Sequence, residues 1–125
     1  MGEIKTFFFD TYAFCEILNG NPAYDPYKED IAIITTKLNL MELHYGLLIE
    51  RGKLIADRYF DEFSEFCIDI DVDTIKQANG FKAMHKKKGI SYIDSLGYII
   101  AKKRNVRFLT GDRQFEHIDN VEFVK

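Results

Sequence analysis

The sequence predicts an α/β fold with a mainly parallel central sheet. Short runs of consecutive apolar residues alternate along it with longer segments of helical period. Apolar residues at consecutive positions mark strands covered on both faces, as parallel strands are. Strands alternating with helices are the pattern of a parallel sheet joined by crossovers. The chain of 125 residues, 46% of them apolar, is long enough for one domain with a substantial core, read as 1–125.

Each element has its own local cause. Thr6 to Phe9 forms the first strand and Thr11 to Leu18 the first helix. Asn19-Gly20-Asn21-Pro22 and Asp25-Pro26 mark a loop, since Gly, Asn and Pro interrupt regular structure. Ile31 to Thr35 is the second strand. Thr36 supplies an N-cap hydroxyl for a helix from Leu38 to Arg51, which Gly52 ends. Leu54 to Cys67 reads as a helix with Ile55, Tyr59, Phe63 and Phe66 near one face. That stripe, with Phe60, suits a core or a dimer interface better than a base-stacking platform. Ile68-Asp69-Ile70-Asp71-Val72 alternates like a strand with an acidic outer face. Asp73 caps a helix from Thr74 to Lys88, stopped by Gly89. Ser91 opens the next helix in a capping box with Asp94 at its third position, and that helix runs to about Asn105. Arg107 to Thr110 is a strand, Arg113 to His117 a short helix, and Val121 to Val124 the final strand.

The net charge of −3 neither advertises nucleic-acid binding nor excludes it. No apolar run approaches the roughly 20 residues that cross a bilayer. Met1-Gly2-Glu3-Ile4-Lys5 lacks the basic-then-apolar pattern of a secretory signal, so the expected location is cytoplasmic. Cys15 and Cys67 form no C-x-x-C pair and read as buried, reduced thiols.

Four acidic residues carry the chemistry: Asp10, Glu42, Asp94 and Asp112. Asp10 follows Phe7-Phe8-Phe9, and Asp112 closes Phe108-Leu109-Thr110-Gly111-Asp112. Both fall at the carboxyl ends of predicted strands, where open α/β sheets bind ligands. Singly, Asp10 is also a good helix cap, Asp112 a good turn residue, and Asp94 a capping residue that complements the helix dipole. Glu42 has no such local role. At about 100° per residue its neighbours are Leu38, Tyr45, Gly46 and Ile49, while Asn39, His44, Glu50 and Arg51 point elsewhere. It is therefore expected on an apolar face. Gly97 and Ala101 follow Asp94 on its own face, a small-residue stripe that suits close helix packing or close approach of a substrate. The predicted fold can bring the four acids to one edge of the sheet. Carboxylates gathered away from Lys and Arg call for a divalent cation, and Mg²⁺ or Mn²⁺ prefers oxygen ligands.

These residues and their surroundings resemble the PIN-domain family of metal-dependent ribonucleases. The matching segments are Phe9-Asp10-Thr11, Leu40-Met41-Glu42-Leu43 with Gly46, Asp94-Ser95-Leu96 with Ala101, and Leu109-Thr110-Gly111-Asp112-Arg113-Gln114-Phe115. The likeness runs nearly end to end. It implies a PIN-like three-layer α/β/α sandwich. It implies an endoribonuclease that hydrolyses RNA phosphodiesters with Mg²⁺ or Mn²⁺ held by Asp10, Glu42, Asp94 and Asp112. Thr11 and Thr110 would orient a carboxylate or a water, and Arg113 would contact RNA. A small PIN protein is most similar to VapC-type toxins of type II toxin–antitoxin pairs, which implies an antitoxin partner and a homodimer. The alternatives are an RNA-processing PIN nuclease without an antitoxin, and a catalytically inactive PIN-like binding module. The chain departs from the family pattern at Asn39, where Ser or Thr is frequent, and at Gln114 and Glu116, where some members place a further Asp.

Other constellations fall short. Asp69, Asp71 and Asp73 suggest a calcium loop, but Thr74 and Gly80 occupy the positions that need Gly and Glu. His44, His85 and His117 have no zinc-site spacing. No phosphate-cradling glycine loop is present. The haloacid-dehalogenase signature needs Asp where Tyr12 stands. Asp61, Glu62 and Glu65 read as a solvated face. Lys86-Lys87-Lys88 and Lys102-Lys103-Arg104 end helices, where cations complement the dipole and can also track phosphates.

Overall fold

The computed structural model describes residues 4–125. The residues Met1 to Glu3, on which part of the signal-sequence reading rests, lie outside the described set. Among the described residues four strands, β1 (Lys5–Phe9), β2 (Ile31–Ile34), β3 (Arg107–Thr110) and β4 (Val121–Phe123), form a sheet in the order β2-β1-β3-β4. Every pairing is parallel. Among the described residues five α-helices accompany them: α1 (Thr11–Leu18), α2 (Lys37–Arg51), α3 (Lys53–Phe63), α4 (Val72–Met84) and α5 (Tyr92–Lys103).

The apolar run in β1 shows why both faces of the sheet are covered. Phe7 and Phe9 join one core with Phe14, Leu40, Leu43, Leu47, Ala56 and Leu109, beneath α1, α2 and α3. Phe8, between them, points the other way into a second core with Phe81, Ile90, Tyr98, Phe108 and Phe115, beneath α4 and α5. Successive residues of a strand face opposite sides, so three consecutive phenylalanines serve two cores. The result is a three-layer α/β/α sandwich. Helix α5 lies close on the sheet because Gly97 has no side chain. A Cβ there would sit 2.6 Å from Phe8 and 3.0 Å from Phe108. The small-residue stripe is thus accounted for by helix packing at Gly97.

The strand order creates a switch point. From β1 the chain crosses to β2 on one side, and later to β3 and β4 on the other. A crevice opens beyond the carboxyl ends of β1 and β3, where the two windings diverge.

Several expectations change. The strand at 68–72 does not form. Thr35 and Cys67 make one isolated parallel bridge, with Thr35 N–H donating to Phe66 and Ile68 N–H to Thr35. Ile68 and Ile70 are half-buried and Asp69 and Asp71 exposed, so the alternation reports burial. A ladder also needs a neighbouring edge, and β2 ends at Ile34. Helix α4 starts earlier than expected because Asp71, not Asp73, is its cap, accepting from Thr74 N–H at 2.7 Å. It ends at Met84, and Lys86–Lys88 form a separate 3₁₀ turn before Gly89, whose φ of 66° suits glycine. Helix α3 likewise stops at Phe63, followed by a 3₁₀ turn over Ser64–Phe66. The expected helix at 113–117 is a 3₁₀ turn over Arg113–Phe115, and the loop near Pro22 holds another over Pro22–Tyr27. Cys15 and Cys67 are free and half-buried rather than buried. Phe63 stacks on Phe14, Tyr59 and Phe66, which places the aromatic stripe largely in packing.

Candidate functional site

A cavity of about 420 Å³ opens at the switch point, lined by Asp10, Thr11, Tyr12, Cys15, Glu16, Glu42, Asp94 and Asp112. The four acids singled out in the sequence reach it from four separate segments. Asp10 follows β1 and is only 1% exposed. It caps α1, its Oδ1 accepting from Ala13 N–H at 2.8 Å. Asp94 sits in the first turn of α5, which Ser91 caps by accepting the Asp94 N–H at 3.0 Å. Asp112 follows β3. Its N–H donates to Thr110 Oγ1, and its own Oδ1 accepts from Gln114 N–H, both at 3.0 Å. Gly111 makes this turn fit, since a Cβ there would collide with Tyr12 and with the Val124 carbonyl.

Glu42 is a correction. The face it shares with Leu38, Tyr45 and Ile49 is not the core face. Tyr45 is 67% and Ile49 69% exposed, and the buried side of α2 is Asn39, Leu40, Leu43 and Leu47. Glu42 is exposed at the cavity rim, held by Thr11, whose hydroxyl donates to Oε1 at 2.7 Å. The helical wheel identifies a face but not which element covers it.

Asn39, expected to point outward, is 1% exposed and directs Thr11. Thr36 Oγ1 accepts from Asn39 N–H at 3.2 Å, so its own proton goes to Asn39 Oδ1 at 2.7 Å. That fixes the amide, whose Nδ2 donates to Thr11 Oγ1 at 3.4 Å. The Thr11 proton is then free for Glu42. A directed series of donors ends on the carboxylate.

The charges repel. Burial pushes the Asp10 carboxyl well above the ordinary range. Hydrogen bonds from Thr110 and the Ala13 amide oppose this, while Asp94 and Asp112 add to it. Asp94 is pushed up to about 6 by burial, then by Glu42 and Asp112, against its hydrogen bond with Ser91. Cys15 is pushed up by burial and by Asp10, Glu50, Glu16 and Glu42, so it stays a neutral thiol and no nucleophile. Among the described residues no Lys, Arg or His lines the cavity. Arg113 is exposed and faces Glu116 at 3.8 Å instead. Among the described residues no three His, Cys, Asp or Glu side chains are drawn together as a ready ligand set. The donor chemistry nevertheless suits a hard divalent cation, because oxygen donors around one cavity carry charge that nothing described there offsets.

Glu16, Tyr12 and Cys15 had not stood out in the sequence. Their signal is spacing: Thr11 with Cys15, and Tyr12 with Glu16, lie one turn apart on α1, so the helix that Asp10 caps presents them together.

The sequence matches the PIN domain family over residues 7–121. The chain belongs to the PIN domain family. Solved structures agree in fold. VapC20 of Mycobacterium tuberculosis, described as a toxin that cleaves the sarcin–ricin loop, superposes with a TM-score of 0.75 at 18% identity, covering 95% of this chain and 99% of that one. A toxin–antitoxin complex from Klebsiella pneumoniae gives 0.74 at 18%, covering 91% and 93%. VapBC2 of Rickettsia felis, bound to a DNA fragment from its promoter, gives 0.72 at 21%, covering 96% and 99%. No curated protein matches the sequence. At these identities the structural likeness is one of fold, and it is the fold of VapC-type PIN proteins.

Proposed function

We propose that this PIN protein, acting as one domain over 1–125, is a cation-dependent endoribonuclease and the toxin half of a type II toxin–antitoxin pair. The observation that carries the reading is the convergence of Asp10, Glu42, Asp94 and Asp112 on one cavity at the sheet's switch point. Those four residues would hold Mg²⁺ or Mn²⁺. Such a cation activates water for attack on a phosphodiester and stabilises the leaving oxygen when bound.

The chain's own groups divide the remaining work. Asp10 is fixed by Ala13 N–H, and Glu42 by Thr11, so both carboxylates keep their orientation before any ligand arrives. Without a cation the Asp94 carboxyl is pushed up to about 6, so it holds a proton in mild acid that a bound cation would displace. Arg113, exposed beside Asp112, would contact the RNA backbone.

RNA as substrate is supported by the description of the similar M. tuberculosis toxin. An antitoxin partner is supported by two of the similar structures, the toxin–antitoxin complex from K. pneumoniae and VapBC2 of R. felis. Exposed Met41, Tyr45, Leu48 and Ile49 on α2, with Leu54 at the start of α3, offer apolar surface for a protein partner or a homodimer. Among the described residues no helix is long and apolar enough to cross a membrane. We place the protein in the cytoplasm, where its RNA substrate is.

The test is cleavage of RNA by purified protein with Mg²⁺ or Mn²⁺ and with EDTA, beside Asp10→Asn. Cleavage that needs the cation and disappears in the variant is expected. Full activity in EDTA, or in Asp10→Asn, overturns the proposal.

A further inference from the structure

A surface of opposite character is tied by hydrogen bonds to the segments that carry Asp94 and Asp112. Lys82 and the 3₁₀ turn Lys86–Lys88 place four lysines within seven residues. Among the described residues none of the four is within ion-pair distance of a carboxylate. Two contacts fix this segment beside the site. Lys88 Nζ donates to the Gln114 carbonyl at 3.1 Å, and Gln114 Nε2 donates back to the Lys88 carbonyl. Gln114 is two residues past Asp112. Lys82 Nζ donates to the carbonyl of Ile90, next to the Ser91 cap that holds Asp94's turn.

Between these anchors stands Tyr92, at the first position of α5 and two residues before Asp94. It is 68% exposed, so its ring is open to a ligand. Lys82 Nζ lies 4.9 Å from the centre of its ring. Tyr92, Lys82, Lys86 and Asn79 line a shallow pocket of about 340 Å³. An exposed aromatic face flanked by unpaired cations is the chemistry that holds single-stranded nucleic acid, with a base on the ring and phosphates on the lysines.

We propose that this pocket is the subsite for a nucleotide flanking the scissile bond of single-stranded RNA, with its base stacked on Tyr92 and its phosphates met by Lys82 and Lys86. The inference rests on the nuclease reading above and adds where the strand lies. The same arrangement gives the substrate a reason to approach an acidic protein. The lysines attract the backbone while the carboxylates, neutralised by their cation, face the bond to be cut.

The experiment measures fluorescence-anisotropy binding of a labelled single-stranded RNA oligonucleotide to the full chain, with Ca²⁺ replacing Mg²⁺ to limit cleavage. Tyr92→Ala is expected to weaken binding about tenfold, as for loss of one stacked base, while Tyr92→Phe stays within about twofold of wild type. Lys82→Met combined with Lys86→Met should reduce the slope of log Kd against log salt by about 1.4, as for two single-strand phosphates. Circular dichroism melts confirm that the variants fold. If wild type binds and cleaves RNA while Tyr92→Ala is unchanged, or while Tyr92→Phe is as weak as Tyr92→Ala, the inference fails and the nuclease reading stands. If wild type neither binds nor cleaves, both fail. If Tyr92→Ala changes only the oligomeric state in light scattering, the surface serves protein contact and the inference is overturned.

Discussion

Replacing Asp94 by Asn should abolish cleavage and yet make the cation-free protein more stable. The site buries Asp94 beside like charges. Its carboxyl is pushed from the usual 3.8 to about 6 by burial, Glu42 and Asp112. The folded state therefore holds a proton that the unfolded chain has already released. The stability this contributes is fully present below about pH 4 and is lost as pH rises through about 6. At pH 7 the charged side chain opposes folding by about 3 kcal/mol, at about 1.4 kcal/mol for each tenfold change in proton affinity. Asparagine removes that charge but also the favourable interaction of an anion with the start of α5, about 0.3–1 kcal/mol. The net expectation is a gain of about 2 kcal/mol at pH 7, roughly 6–10 °C in melting temperature for a domain of this size. The Ser91 cap is untouched, because Asp94 contributes its backbone N–H to it. Thermal melts in EDTA at pH 4, 6 and 8 measure the effect. The variant's advantage should grow across that range, and Mn²⁺ should raise the wild-type melting temperature and narrow the gap. A variant no more stable than wild type at pH 8 in EDTA refutes the claim that burial and the neighbouring carboxylates hold the Asp94 charge at a cost.

Other outcomes follow from single residues. Asn39→Leu should leave Thr36 and Thr11 without their partner, costing about 1–3 kcal/mol in urea unfolding. It should also weaken Mn²⁺ binding, and Asn39→Ser should restore part of that affinity by returning a hydrogen-bonding group. Gly97→Ala should destabilise the fold by about 1–3 kcal/mol in the same assay, because its methyl group meets Phe8 and Phe108. Mn²⁺ affinity measured by calorimetry should rise with pH through about 6, with proton release on binding, because Asp94 must lose its proton to act as a ligand.

Where local chemistry decides structure, the sequence was informative. Phe7-Phe8-Phe9 announced a strand buried on both faces, and the two cores take alternate rings. Ser91 and Thr36 announced their helices, and both act as caps. Asp10 and Asp112 follow the strands β1 and β3, which proved to be neighbours across the switch point. What escaped depends on partners distant in the chain. Ile68 to Val72 has the alternation of a strand, but β2 ends at Ile34 and the pairing stops at the single bridge of Thr35 with Cys67. Glu42 was expected on a covered face because its neighbours are apolar, whereas that face of α2 is open. Asn39 looked like surface because it is polar. Its burial depends on Thr36, three residues away, and on Thr11, twenty-eight residues away.

Mn²⁺ titrated calorimetrically into wild type, Asp10→Asn and Asp94→Asn tests most directly whether the four carboxylates form one cation site. Saturable binding by wild type that weakens at least tenfold in each variant is predicted. Equal binding by all three, or none by wild type, contradicts it.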